Sequence, residues 1–181
     1  TFGSLIDVAA EDAEPLCELL EQLRQLAKDG DVMQKPAAQK LIPYVQQAWV
    51  LAQRYDAVVA NPPYMGSGGM NSTLKDFAKK RYPNSKSDLF AIFMEHTFNL
   101  LKPEGYNAQV NMQSWMFLSS YEKMRERILD EKTIITLMQI GYNSFPELNS
   151  KIVQCCASII KNIKLNQHCG TYIDLNSAPQ S

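Results

Sequence analysis

A chain of 181 residues with 45% hydrophobic and 20% charged residues can bury one sizeable core, and its net charge of −1 excludes both a polyelectrolyte tail and a disordered composition. No apolar run approaches a membrane span, and four cysteines without Cys-x-x-Cys spacing exclude a disulfide scaffold and a zinc clamp, so neither a membrane nor a metal is expected. Thr1-Phe2-Gly3-Ser4-Leu5 shows no secretory pattern, which points to a cytoplasmic protein, and the lack of an initiator Met suggests a piece of something longer.

Leu16, Leu19, Leu20, Leu23 and Leu26 recur at helical spacing and predict an amphipathic helix ending near Gly30. Leu41, Val45, Ala48, Trp49 and Leu51 predict a second helix to about Arg54, with Pro43 bending or resetting its first turn. The opening segment is acidic: residues 1–31 hold eight acids against two bases, a net of −6. Residues 1–54 are therefore expected to form a helical segment ahead of the chemistry, and 55–181 the catalytic half.

Asp56-Ala57-Val58-Val59-Ala60 is a short apolar run that reads as a buried parallel strand, and it stops at Asn61-Pro62-Pro63-Tyr64. A glycine-rich stretch, 65–70, leads into a polar helix from about Ser72 to Arg81. Lys75, Lys79, Lys80, Arg81 and Lys86 against Asp76 give that region a net of +4. Such a patch is a candidate contact for nucleic-acid phosphates, and equally a solvated helix face.

Ser87 can cap the next helix, which carries Leu89, Phe90, Ile92, Phe93, Phe98, Leu100 and Leu101 and closes at Lys102-Pro103-Glu104-Gly105. A strand from Tyr106 to Asn111, a helix from Ser120 to about Leu129, and strands at Thr133 to Ile140, Ile152 to Ile160 and Tyr172 to Leu175 follow. Trp115 and Phe117 read as packing residues, and the adjacent Cys155 and Cys156 as small core residues on opposite strand faces. The alternation gives an α/β fold, a mostly parallel sheet with antiparallel last strands.

The tetrad is where chemistry is expected, because ligands of open α/β sheets bind beyond the carboxyl ends of strands. The exocyclic amine of adenine is a weak nucleophile, its lone pair delocalised into the ring. Two fixed acceptors, the Asn61 amide oxygen and the Pro62 carbonyl, can hold its hydrogens and favour the pyramidal form. Pro63 brings no N–H and a fixed φ, and Tyr64 offers a face for an extruded base. No cysteine follows this motif to attack a ring carbon, which favours direct transfer to nitrogen. As a bare string, the tetrad also reads as a strand-ending turn.

The stretches "YDAVVANPPYMGSGGMN", "NSKSDLFAIFMEHTF" and "NMQSWMFLSSYEKMRERIL" are similar to N6-adenine DNA methyltransferases, most closely the PglX type of BREX phage-defence systems, with restriction–modification fusion enzymes as relatives. The resemblance covers about Tyr55 to Lys161 and implies a partial Rossmann-like S-adenosylmethionine-dependent methyltransferase fold. It implies Asn61, Pro62, Pro63 and Tyr64 as catalytic, and Asp88, Leu89 and Phe90 as the wall beside the cofactor's adenine. Phe145 would sandwich the flipped base opposite Tyr64, and Lys75, Lys79, Lys80, Arg81 and Lys86 would meet the DNA backbone. Implied partners are double-stranded DNA and other defence-system proteins. The family's glycine-rich turn of the form Asp/Glu-x-x-x-Gly-x-Gly is not among these residues, so this chain alone is expected to bind S-adenosylmethionine weakly or not at all. Two alternatives stay open: the same chemistry on a protein glutamine or an RNA adenine, and a non-catalytic interaction module.

Overall fold

The computed structural model describes residues 3–141 and 154–176. The chain divides into two compact units at the Arg54–Tyr55 peptide. The first contains α1 (Ala13–Asp29) and α2 (Gln34–Ala52), which pack together, with Leu20 and Leu23 of the leucine stripe buried. Gly30 makes the tight passage between them possible, since a Cβ there would lie 2.5 Å from the Leu26 carbonyl oxygen and 2.9 Å from Gln34 Cβ. The second helix starts seven residues before Leu41, and Pro43 lies in its interior rather than its first turn. Its start is fixed upstream by a reciprocal cap: Asp31 Oδ1 accepts from the N–H groups of Met33 (2.8 Å) and Gln34 (2.7 Å), while Gln34 Oε1 accepts from the Asp31 N–H (3.0 Å).

The second unit runs β1 (Tyr55–Ala60), α3 (Ser72–Arg81), α4 (Leu89–Thr97), β2 (Leu101–Met112), α5 (Glu122–Glu131), β3 (Thr133–Gly141), β4 (Cys155–Lys161) and β5 (Thr171–Asp174). Among the described residues the strands form one sheet in the order β1-β2-β4-β3-β5. Parallel pairing of β1 with β2 and of β3 with β5, and antiparallel pairing of β4 with both its neighbours, leaves β4 alone running against the rest. The expected mixture is present, with the reversal confined to β4.

Three local readings are corrected. β1 is not a buried strand: among the described residues it pairs with β2 alone, and Val59 is 81% exposed. The cap of α4 is Asp88, not Ser87, because the Asp88 carboxylate reaches the Phe90 N–H at 3.2 Å. That helix ends at Thr97, and β2 then runs from Leu101, earlier than Tyr106, through a left-handed Glu104 (φ 64°).

The core gathers Phe90, Ala91 and Met94 of α4, Met124 and Ile128 of α5, Trp115 and Tyr121, over Cys156 and Ile160 of β4. On β2 the pattern is unusual, because its buried face is the polar one. Asn107, Gln109 and Asn111 are all buried under α4, and the carboxamides are chained along the strand. Asn107 Nδ2 donates to the Met94 carbonyl (3.2 Å) and Thr97 Oγ1 (2.8 Å), and Gln109 Nε2 to Thr97 Oγ1 (2.8 Å) and Asn107 Oδ1 (2.9 Å). Asn111 Nδ2 extends the chain to Gln109 Oε1 at 3.2 Å. Buried amides are tolerated when satisfied this way. Asn111 Oδ1 is the exception, with no partner among the described residues.

Candidate active site

Asn61-Pro62-Pro63-Tyr64 leaves the carboxyl end of β1 beside the carboxyl end of β2, the location where such sheets receive ligands. Asn61 and Pro63 are exposed, Pro62 is buried and Tyr64 is half-buried. The Tyr64 hydroxyl lies 3.3 Å from Asn61 Oδ1 and 3.2 Å from the Val110 carbonyl oxygen of β2, so one phenolic proton is shared between two acceptors. Behind it, the Cys155 thiol at the start of β4 donates to the same oxygen at 3.7 Å. Asn61 Oδ1 is thus steered by a side chain, not sealed against main-chain N–H groups, and among the described residues nothing donates to the Pro62 carbonyl.

The groups around Tyr64 hold their protons tightly. Burial pushes the Tyr64 phenol well above its ordinary value, and the neighbouring Cys155 and Cys156 thiols add to the rise by opposing a second negative charge. Burial also raises Cys155, and lifts Cys156 to about 11 even though the Trp115 indole N–H, 3.3 Å from its sulfur, favours the thiolate. The Tyr64 ring meets Phe90 edge to face, centroids 6.1 Å apart, and Phe90 in turn lies against Tyr121 at 5.7 Å.

Asp88 ties the loop beyond the tetrad to α4. Its Oδ1 accepts from the Met65 N–H (2.9 Å) as well as from Phe90, Met65 returns its carbonyl to the Leu89 N–H (3.0 Å), and Gly66 and Asp88 form an antiparallel bridge. A β-carbon on Gly66 would stand 3.7 Å from Asp88 Oδ2, so the second oxygen faces the loop. Burial raises the Asp88 carboxyl above the usual range, partly offset by the N–H groups it accepts from. Tyr121, nearby, is pushed up to about 12 by burial and by the Asp88 charge.

Of the residues expected to wall the cofactor, Phe90 is fully enclosed and Leu89 is 7% exposed. Asp88 is itself buried, at 8% exposure, and its Oδ2 is the oxygen not taken by the Met65 and Phe90 N–H groups. Lys75, Lys79 and Lys86 line one hollow with Ser67, Gly68 and Ser87, while Lys80 and Arg81 lie outside that lining. Phe145 falls outside the described residues. Trp115 is buried as expected, but Phe117 is 64% exposed and does not pack. The sequence reading missed the contacts of Val110, Cys155 and Tyr121, which carry no local signal: Tyr64 meets Val110 across 46 positions and Cys155 across 91. Among the described residues no cluster of His, Cys, Asp or Glu is placed to hold a metal, and no helix is long and apolar enough to cross a membrane.

The mixed sheet with its flanking helices has the α/β fold of S-adenosylmethionine-dependent methyltransferases. The structure superposes on a candidate class I S-adenosylmethionine-dependent methyltransferase from Listeria monocytogenes with a TM-score of 0.54 at 15% identity, covering 72% of this chain and 41% of that one, a likeness of fold. Residues 11–145 match the Eco57I restriction-modification methylase model, and the chain belongs to that family. It is 60% identical over 172 residues, 95% of its length, to adenine-specific methyltransferase BrxX of Escherichia coli O9:H4 (strain HS). It is 44% identical over 122 residues, 67% of its length, to adenine-specific methyltransferase PglX of Lacticaseibacillus casei (strain Zhang). The chain spans 14% of the first relative and 10% of the second.

Proposed function

We propose that this chain carries the methyl-acceptor face of an N6-adenine DNA methyltransferase of a phage-defence or restriction–modification system, acting in the cytoplasm on double-stranded DNA. One observation carries the reading: Asn61 is exposed at the end of β1 with its amide oxygen aimed by the Tyr64 hydroxyl. In this role Asn61 Oδ1 and the Pro62 carbonyl accept the two amine hydrogens of an extruded adenine. The nitrogen becomes pyramidal, and its lone pair is freed for in-line attack. Pro63 restrains the peptide that presents the carbonyl. Tyr64 stacks on the base, and Phe145 closes on it from the opposite side.

S-adenosylmethionine, when bound, supplies a methyl group on a sulfonium centre. The residues described here fit part of it. Asp88 Oδ2, turned away from the N–H groups that occupy Oδ1, is an acceptor for an adenine amine, and Leu89 backs it with apolar surface. The methylated nitrogen is cationic and strongly acidic, so its surplus proton passes to water and no enzyme base is needed. Domain 55–181 performs this work, with 1–54 as a helical segment ahead of it, and other defence-system proteins assemble on the parent molecule.

The test uses the complete gene product with methyl-labelled S-adenosylmethionine. Duplex DNA should acquire label recovered as N6-methyladenine, and Asn61→Ala should abolish incorporation while the thermal unfolding profile stays unchanged. Label in RNA or on protein glutamine instead of DNA would refute the substrate, and no label in any acceptor would refute catalysis in favour of a docking module.

A further inference from the structure

The basic residues of 75–86 do not act as one patch. α3 begins under a cap in which Asn71 Oδ1 accepts from the Leu74 N–H at 2.9 Å, and it presents Lys75 and Lys79 one turn apart on a shared face. With Ser67, Gly68, Lys86 and Ser87 they line an open hollow of about 280 Å³. Its walls are fixed to each other. The Ser67 N–H donates to the Ser87 carbonyl at 2.9 Å, next to the Gly66–Asp88 bridge, and the Gly69 N–H closes the loop on the Gly66 carbonyl at 2.9 Å.

Most of the surface lining the hollow is apolar, and the polar side chains around it are three lysines and two serines. Among the described residues none of Lys75, Lys79 and Lys86 has an ion pair, and neither serine hydroxyl nor the Gly68 N–H has a partner. Asp88, the nearest acid in sequence to Lys86, spends its Oδ1 on Met65 and Phe90. Two ammonium groups at i and i+4 repel, and a third lysine on the same hollow adds to that repulsion, with no ion pair among the described residues to relieve it. A tetrahedral oxyanion supplies what is missing: several charged acceptors within reach of three ammonium groups, two hydroxyls and one amide.

We propose that this hollow holds a single phosphate of the DNA backbone, close to the nucleotide whose base enters the Asn61 site. The identity of the nucleic acid rests on the function proposed above. So does the placement beside the Asn61 site, where Ser67 and Gly68 follow Tyr64 by three and four residues and the Ser67 N–H is held by the Ser87 carbonyl. Lys80 and Arg81 do not contribute to this phosphate.

The decisive measurement is the salt dependence of duplex affinity in the complete gene product, wild type against the triple variant Lys75→Gln, Lys79→Gln, Lys86→Gln. Each neutralised phosphate contributes about 0.9 to the slope of log K against log salt. Three lysines on one phosphate lower the slope by about 0.9 in total, whereas three separate contacts would lower it by about 2.7. A second arm scans single methylphosphonates along the target strand. Wild type should lose affinity at one position beside the adenine, and the triple variant should be indifferent there. An unchanged slope, a fall of two or more, or no position-specific loss overturns the proposal. If wild type shows the single sensitive phosphate but transfers no methyl group, the pocket stands and the enzymatic reading falls. If methyl transfer occurs and the triple variant has the wild-type slope, the reverse holds.

Discussion

Replacing Tyr64 by phenylalanine removes one hydroxyl and leaves the ring against Phe90. That hydroxyl lies 3.3 Å from Asn61 Oδ1, 3.2 Å from the Val110 carbonyl and 3.7 Å from Cys155 Sγ. A neutral hydrogen bond of this kind is worth about 0.5–1.5 kcal/mol net, here divided between two acceptors. If its task is to hold the Asn61 carboxamide while the amine changes shape, the deficit falls on the transition state and slows methyl transfer about two- to tenfold. The assay is single-turnover transfer with excess enzyme, run beside duplex-binding titrations. Because stacking survives, KM for DNA should hold, and the loss should fall in kcat. The phenol is held well above its ordinary pKa, so the ratio of wild-type to variant rate should stay constant from neutral to mildly alkaline pH. A variant as fast as wild type, or one as dead as Asn61→Ala, would refute the positioning argument in opposite directions.

Asn107→Ala removes two donor bonds and one accepted bond from the buried amide chain, leaving Gln109 and Thr97 bonded only to each other and to their remaining neighbours. The expected loss is about 1–3 kcal/mol, read from the urea midpoint, and a midpoint within error of wild type would show that the chain contributes nothing. Asp88→Asn keeps an oxygen to cap α4 and eliminates a charge that burial disfavours. With the folded pKa raised, the carboxyl's stabilisation is complete below its unfolded value near 3.8 and is lost as pH climbs through the folded one. The variant should therefore match or exceed wild-type stability at neutral pH and lose that advantage in acid; a neutral-pH deficit of more than about 1 kcal/mol would mean that the charge-assisted bonds outweigh burial. Aromatic disulfide reagent at pH 8 should label the exposed Cys169 of the native protein and spare Cys155 and Cys156, both buried with raised thiol pKa values. Labelling of either before unfolding would contradict the packed site.

Local signals gave the elements, and long-range pairing decided their environment. The bounds of α3 were legible because Asn71 starts it and the basic run ends it. The placement of β1 was legible as well, but its exposure was not, since an apolar pentapeptide looks the same in the middle of a sheet and at its margin. Pro43 misled because a proline suggests a helix start, while the true start lay in the Asp31–Gln34 exchange. On β2, carboxamides at alternate positions suggest a wet face; only the arrival of Thr97 and the Met94 carbonyl from α4 makes that face the dry one. At the site, the tetrad could be read directly, whereas the support from Val110 and Cys155 depends on which residues of three strands come level. The charge of 75–86 was equally plain, but sorting its lysines required the bridge that folds Ser67 toward Ser87.

The amide chain on β2 has a consequence for alignment. Sliding a strand by two positions keeps every side chain on its own face, so oily contacts discriminate poorly between such neighbours. Hydrogen-bonding groups that must find Thr97 and Met94 do discriminate: Asn107 and Gln109 act as a key with one tooth pattern. A two-residue slip would carry the Val110 carbonyl about 6.6 Å from the Tyr64 hydroxyl and bring Cys155 level with a different neighbour. Three polar side chains on a helix and a strand thus keep the Val110 carbonyl level with the Tyr64 hydroxyl.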